Sequence, residues 1–440
     1  MSTLNFLETE ERINKKKHFN VLAKTIGPVC NLDCDYCYYL EKENIYAENK
    51  KAVQFKMPES TLELYIKKYL EDQPAEAKEV LFTWHGGEPT LMGLAYYERI
   101  VELQNKHNKA SKKISNSLQT NGVLINDNWA RFFAKENWLI GLSIDGPEDL
   151  HNAYRPNKGG KGSFSKVMNA VNLFKKHEVR FNTLTVIHDK NVKHPKRVYE
   201  FLKGIGSSFL QFLPVQEQIA EDENETLPLV HQKYKKKTYI TKESVAPVDY
   251  GNFLIGVFDL WLERDVGSVF VQHFDLALEA WCGYNPNMCV FAKHCGDALA
   301  IEHNGDVYSC DHFVYPEYKL GNVNDSSFQS LLKLPAQERF GYDKYNSLPL
   351  QCRECEFRFA CNGECPKNRF GVVKNGEKVA YLCEAYRMYF THISPYMEVM
   401  KKLLDMQRPP ADIMDLIAKR KKEEKRKKKI EKKLKRLSNR

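Results

Sequence analysis

No apolar run in the 440 residues approaches the length of about 20 needed to cross a bilayer. The opening stretch MSTLNFLETEERINKKKHFN also lacks the apolar segment of a secretory leader. Both absences lead to the expectation of a cytoplasmic chain with no membrane partner. Internal repeats are missing, which excludes solenoid and array architectures, and no low-complexity linker precedes the tail. One further absence carries more information. Residues 30–37 read CNLDCDYC, three cysteines with no fourth beside them. A structural zinc ribbon wants four soft ligands, usually in two separated pairs, and a redox dithiol wants two. Three suits neither.

What is present is ordinary for a globular protein: 42% hydrophobic residues and 12% aromatics, enough for one large core and a smaller domain. Twelve cysteines in a reducing compartment argue for metal ligation or catalysis and against disulfides. The net charge of +9 belongs to one end. Lys419–Arg440 holds 14 Lys or Arg against 3 Glu, so the remainder of the chain is close to neutral. This tail follows Pro409-Pro410 and has too few apolar residues to pack a helix, so it reads as a solvated appendage. Contact with nucleic acid or an acidic partner is the less favoured reading.

Between residues 18 and 213, the runs HFNVLAK, EVLFTW, KISNSLQ, LIGLSI, FNTLTVI and SFLQFL read as six strands buried on both faces. Helical patterns separate them, such as PESTLELYIKKYLED with Leu62, Tyr65, Ile66, Tyr69 and Leu70 on one face. Repeated strand and helix units predict an α/β fold with a parallel sheet curled into a barrel or partial barrel, with the active site at the carboxyl ends of the strands. The unusual motifs follow those ends: CNLDCDYC, HGGEPT, TNG and DGPEDLHNAYR. A charge-rich stretch from Gln216 to about Glu243 is expected to form surface structure. The helical patterns NFLIGVFDLWLERD and HFDLALEAW then lead to a region, about 282–390, with nine of the twelve cysteines.

A cube of four irons needs four ligands, so three protein thiolates leave one iron open to a chelating molecule. CxxxCxxC after a first strand, with Tyr36 before the last cysteine, resembles the radical S-adenosylmethionine enzymes. The resemblance implies a partial (β/α)6 TIM-like barrel, a 4Fe-4S cluster on Cys30, Cys34 and Cys37, and S-adenosyl-L-methionine chelated at the open iron and cleaved to a 5′-deoxyadenosyl radical. Gly86-Gly87-Glu88-Pro89 resembles the family's GGEP motif, in which the glycines let backbone approach the ligand and Glu88 orients the network around its ammonium. Ser143 and Arg155 match positions that bind the methionyl or ribose part. Tyr36 is expected near the adenine, with Leu213 as an apolar contact. Tyr39, His85 and Gln119 are further candidate contacts, His85 standing where some members carry Gln.

The second region includes CRECEFRFACNGECPKN and a later Cys383, and resembles the SPASM extension. That resemblance implies two auxiliary 4Fe-4S clusters, one on Cys289, Cys295, Cys310 and Cys365 and one on Cys352, Cys355, Cys361 and Cys383, making three in all. Cys282 is left over as a small buried hydrophobe. By spacing alone the eight thiols would equally hold structural zinc. The boundaries that follow are an extension over 1–17, the barrel over 18–250, a helical linker over 251–281, the SPASM domain over 282–395 and a C-terminal segment over 396–440.

Asp311 directly follows Cys310, which tethers a carboxylate near a cluster as a general base requires. The run CGDALAIEHNGDVYSCDHFV from Cys295 resembles the anaerobic sulfatase-maturating enzymes. They oxidise a Cys or Ser in a C/S-x-P-x-R motif of a sulfatase to Cα-formylglycine without oxygen. The adenosyl radical takes a hydrogen atom from the target's Cβ, Asp311 takes the thiol or hydroxyl proton, and an auxiliary cluster takes the second electron. The implied partners are a sulfatase polypeptide and an electron donor such as flavodoxin or ferredoxin. Two other readings are a SPASM-type maturase of another ribosomal peptide and a zinc-stapled scaffold.

Overall fold

The computed structural model describes residues 16–49, 55–222, 224–230, 234–373 and 376–438. Most of the extension expected over 1–17 therefore lies outside the described residues. The six expected strands are all present: β1 Asn20–Lys24, β2 Glu79–His85, β3 Lys113–Thr120, β4 Leu139–Ser143, β5 Phe181–Ile187 and β6 Phe209–Pro214. Burial alternates along β2, β3, β5 and β6, so these strands bury one face and leave the other more open, contrary to the expectation of burial on both faces. Each pairs in parallel with the next. The longer helices that connect them are α1 Glu59–Asp72, α2 Leu94–His107, α3 Asp127–Lys135, α4 Phe164–Lys176 and α5 Pro195–Gly204. On α1 the predicted stripe of Leu62, Tyr65, Ile66, Tyr69 and Leu70 is buried. The α3 helix starts where Asn126 accepts from the backbone N–H groups of Asn128 and Trp129, which satisfies two of the donors that a helix start leaves free.

The sheet does not stop at six strands. After the hairpin β7 Gln218–Ala220 and β8 Thr238–Ile240, strand β9 Phe270–Val271 adds in parallel beyond β6. On the other side, β10 Ala298–Glu302 pairs in parallel with β1, and β11 Asp306–Tyr308 and β12 Lys319–Asn322 follow antiparallel. The result is one open ten-stranded sheet, ordered β12-β11-β10-β1-β2-β3-β4-β5-β6-β9. The barrel is partial because its ends do not pair. The sheet also crosses the boundary expected near residue 282.

Helices α6 Pro247–Arg264 and α7 Gln272–Trp281 lead into the cysteine-rich region. It contains α8 Pro335–Asn346 and ends in the long α9 Cys383–Asp405, which returns to pack on α6 through pairs such as Tyr250–Tyr386 and Phe258–Tyr396. One expectation is sharpened and one needs correction. Helix α10 Ile413–Ser438 begins ahead of the charge run, where Ile413 is buried and Met414 and Ile417 lie on the core, while residues 419–428 are exposed, as expected of a solvated appendage, with Lys421 paired to Glu263 at the surface. Apolar residues at helical spacing ahead of the charge run make that packing possible. The stretch 216–243 is more than surface, since Glu217 accepts from the buried Lys367 at 2.7 Å and Gln216 is buried against Glu364.

Candidate functional site

The three thiols of the first loop sit together past the end of β1. Burial is the main influence on each, pushing Cys30 up to about 11 and Cys34 up to about 12, and each of these two is raised further by neighbouring thiols of the trio. Cys37 is raised as well, chiefly by burial. Buried thiols without a counter-cation stay protonated, and a bound cation reverses that balance. The donor set is thus suited to iron. Leu32 N–H and the Asn121 side-chain amide both approach the Cys30 sulfur, at 3.4 and 3.8 Å, as donors to a thiolate would.

Beside this loop the structure places a residue that sequence reasoning missed. Asp145, fully buried after β4, receives both Nε and Nη2 of Arg155, at 2.8 and 3.0 Å, together with the Tyr36 hydroxyl at 2.5 Å and the Val186 N–H at 3.0 Å. Burial raises its carboxyl, but the Arg155 charge outweighs that and leaves it below its ordinary value. The expected cofactor residues Tyr36 and Arg155 are therefore brought together by Asp145, and two of the guanidinium nitrogens already serve it. A forked partner for a buried Arg was the available signal. Ser143 is buried at the end of β4 and Leu213 is half-buried near the end of β6.

The GGEP loop is fitted closely to protein. A Cβ on Gly87 would lie 2.0 Å from the Val29 carbonyl oxygen, so glycine here permits the second loop to pack on the cysteine loop. Gly86 has φ +140°, in the region that favours glycine. Glu88 is buried and accepts from Thr90 N–H and hydroxyl, the Thr120 hydroxyl and the Asn121 N–H. It ties the ends of β2 and β3 together while its carboxyl is raised by burial.

Across the mouth, Asp311 reaches back from the turn after β11. Its Oδ1 lies 2.5 Å from the Nζ of Lys24, the last residue of β1, and its Oδ2 accepts from the Tyr38 hydroxyl at 2.9 Å. Burial raises the carboxyl, but the Lys24 ammonium outweighs that and holds it well below the usual carboxylate range. Tyr39 donates to Glu302 at 2.7 Å. His85 bonds to Gln119 and is lowered to about 4, first by burial and then by Lys24. Asp311, Tyr38, Tyr39, His85 and Gln119 thus share one neighbourhood with the first cysteine loop.

In the second region the thiols form two neighbourhoods. Cys289, Cys295, Cys310 and Cys365 act electrostatically on one another, and Lys344 lies among them, donating to the carbonyls of Cys289 and Val290. Cys352, Cys355, Cys361 and Cys383 line one cavity. Cys282 belongs to neither and has Asp405 and Lys401 as its charged neighbours. Among the described residues no group of three or more His, Cys, Asp or Glu is arranged to hold a single metal ion. No described helix is long and apolar enough to cross a membrane.

Comparison with known proteins agrees with this geometry. Residues 25–202 match the radical SAM superfamily, and residues 289–356 match an iron-sulfur cluster-binding domain, SPASM. The chain is a radical S-adenosylmethionine enzyme with a SPASM extension. It is 48% identical to a serine-type anaerobic sulfatase-maturating enzyme of Bacteroides thetaiotaomicron, over 90% of this chain and 95% of the relative. It is 32% identical to a cysteine-type enzyme of Clostridium perfringens, over 86% and 96%. Among solved structures it is similar to native anSMEcpe with bound AdoMet and Kp18Cys peptide, with a TM-score of 0.74 and 31% identity over 87% of this chain and 99% of that one. The chain belongs to the anaerobic sulfatase-maturating enzymes.

Proposed function

We propose that this chain oxidises the target serine of a sulfatase C/S-x-P-x-R segment to Cα-formylglycine, with Asp311 as the base. The observation that carries the reading is that Asp311, from the cysteine-rich region, stands over the strand ends that hold Cys30, Cys34 and Cys37. Serine is favoured over cysteine by the 48% identity to the serine-type relative against 32% to the cysteine-type one.

Cys30, Cys34 and Cys37 would hold the cluster that binds and reductively cleaves S-adenosylmethionine. The two neighbourhoods of four thiols would hold the auxiliary clusters that accept an electron. Tyr36, Ser143, Arg155 and Leu213 would line the cofactor, Arg155 through the part of its guanidinium that Asp145 leaves free. Gly86, Gly87 and Glu88 shape that wall. Asp311 accepts the target's hydroxyl proton, while the buried surroundings exclude water from the reacting carbon. A flavodoxin or ferredoxin would supply the reducing electron, and the barrel and SPASM boundaries remain those proposed from the sequence.

Anaerobically reconstituted protein is expected to carry about twelve irons, four per cluster. Incubated with a sulfatase peptide, it should remove about 2 Da from a Ser target, or about 18 Da from a Cys target, read by mass spectrometry. Asp311→Asn should retain S-adenosylmethionine cleavage and lower aldehyde yield by roughly 10²- to 10⁴-fold, the usual range for a removed general base. An unchanged yield removes Asp311 from the role.

A further inference from the structure

Lys24 has no place in the proposed function so far, although it is the residue that holds Asp311. It ends the first barrel strand, with its side chain fully buried. In the sheet it lies level with Glu302 on β10 and His85 on β2. Taking an ammonium out of water costs several kcal/mol unless a partner offsets it. The nearest acid in register, Glu302, is engaged with both oxygens on the Tyr39 hydroxyl, at 2.7 and 2.9 Å. The Lys24 chain instead crosses the Tyr39 ring, with Nζ 3.7 Å from its centroid, and delivers the charge to Asp311.

The two carboxylate oxygens are treated differently. Oδ2 accepts the Tyr38 hydroxyl, whereas Oδ1 faces the ammonium at 2.5 Å without a properly directed hydrogen bond. Lys24 therefore fixes the buried Oδ1 by charge, and the 20% of the Asp311 side chain that stays exposed lies on its other atoms. The same residue links the two regions, since its partner arrives from the turn after β11.

We infer that Lys24 is a positioning residue for the oxidation: its ammonium anchors the Asp311 carboxylate over the ends of β1 and β2, so that the exposed part of the carboxylate is held where the target's hydroxyl would reach it. The inference rests on Asp311 being the base. The balance of the step is unchanged by it. The Asp311 carboxylate would take the hydroxyl proton, while the bound cofactor and an auxiliary cluster would supply the acceptors for the Cβ hydrogen atom and the second electron.

The test compares Lys24→Met, which keeps length and removes charge, with Lys24→Arg and Asp311→Asn, using a peptide deuterated at the target Cβ. Lys24→Met is expected to pass deuterium into 5′-deoxyadenosine as the parent enzyme does, while aldehyde formed per deoxyadenosine falls roughly 10- to 100-fold, the cost of misplacing a reacting group. Lys24→Arg should recover part of that ratio. A second readout needs no turnover: thermal unfolding of the reconstituted single and double variants should show non-additive shifts for Lys24→Met and Asp311→Asn. Should Lys24→Met not fold, Lys24→Gln reads the same ratio. A parent-like ratio in Lys24→Met beside a collapsed one in Asp311→Asn overturns the role of Lys24 alone. Loss of iron or of deuterium transfer in a folded Lys24 variant also overturns it, by showing a structural role. A parent-like ratio in Asp311→Asn instead overturns the base assignment beneath it.

Discussion

Two buried ion pairs stand at opposite sides of the same barrel mouth, and they are built differently. Asp145–Arg155 is closed. The guanidinium binds through two nitrogens, Tyr36 and Val186 add donors, and both side chains are almost wholly buried. Asp311–Lys24 is open. It is a short contact through one oxygen, and the carboxylate side chain keeps 20% of its exposure. A carboxylate that only braces a fold gains by filling every lone pair, whereas one that must accept a proton needs a vacancy. The number of donors and the remaining exposure thus separate a support from a candidate reagent where charge alone does not.

The largest expected effect comes from breaking the closed pair. Arg155→Met leaves Asp145 charged and buried, and should destabilise the reconstituted protein by about 3–5 kcal/mol in denaturant unfolding. A smaller loss, about 1–3 kcal/mol, is expected for Lys24→Met in the same measurement, because the Asp311 side chain keeps 20% of its exposure and can be partly solvated, whereas Asp145 is fully buried. Equal losses would erase the distinction drawn between the pairs. The smallest effect extends the scale to a carboxylate with no cation at all. Asp275 on α7 is pushed up to about 7, first by burial and then by Glu279. A raised value in the fold means stability that is full below the unfolded value of about 3.9 and is lost as pH rises through about 7. Asp275→Asn should therefore gain about 1 kcal/mol at pH 8 and nothing at pH 4, after allowance for its partial exposure. A gain of the same size at both values would show that burial of the charge is not its source.

The strands and the thiol loop were legible because each is written in neighbouring residues. HFNVLAK and its five counterparts are short segments rich in β-branched, aromatic and leucine residues, and CNLDCDYC places three ligands within eight residues. What escaped depends on partners distant in sequence or on space between loops. Lys24, closing an apolar run, looks like a solvated strand end, and only the fold brings Asp311 to it. Asp145 lies in the same short motif as Arg155, yet nothing local says that the two share a fork. Gly87 suggested room for a ligand, while the occupant of that room is the Val29 carbonyl. The helical start of the tail was hidden by the charge that follows it. The pairing of β10 with β1 leaves no local trace, since a parallel partner is set by the whole topology.

That pairing bears on how the chain can be divided. Because β10 adds to β1 through ladder bonds and not through a tether, cutting between Trp281 and Ala298 would tear a sheet and would not release a module. The amputated barrel would expose a raw strand edge inviting self-association. Swapping the cysteine-rich half for that of a relative is better attempted with the first strand carried along.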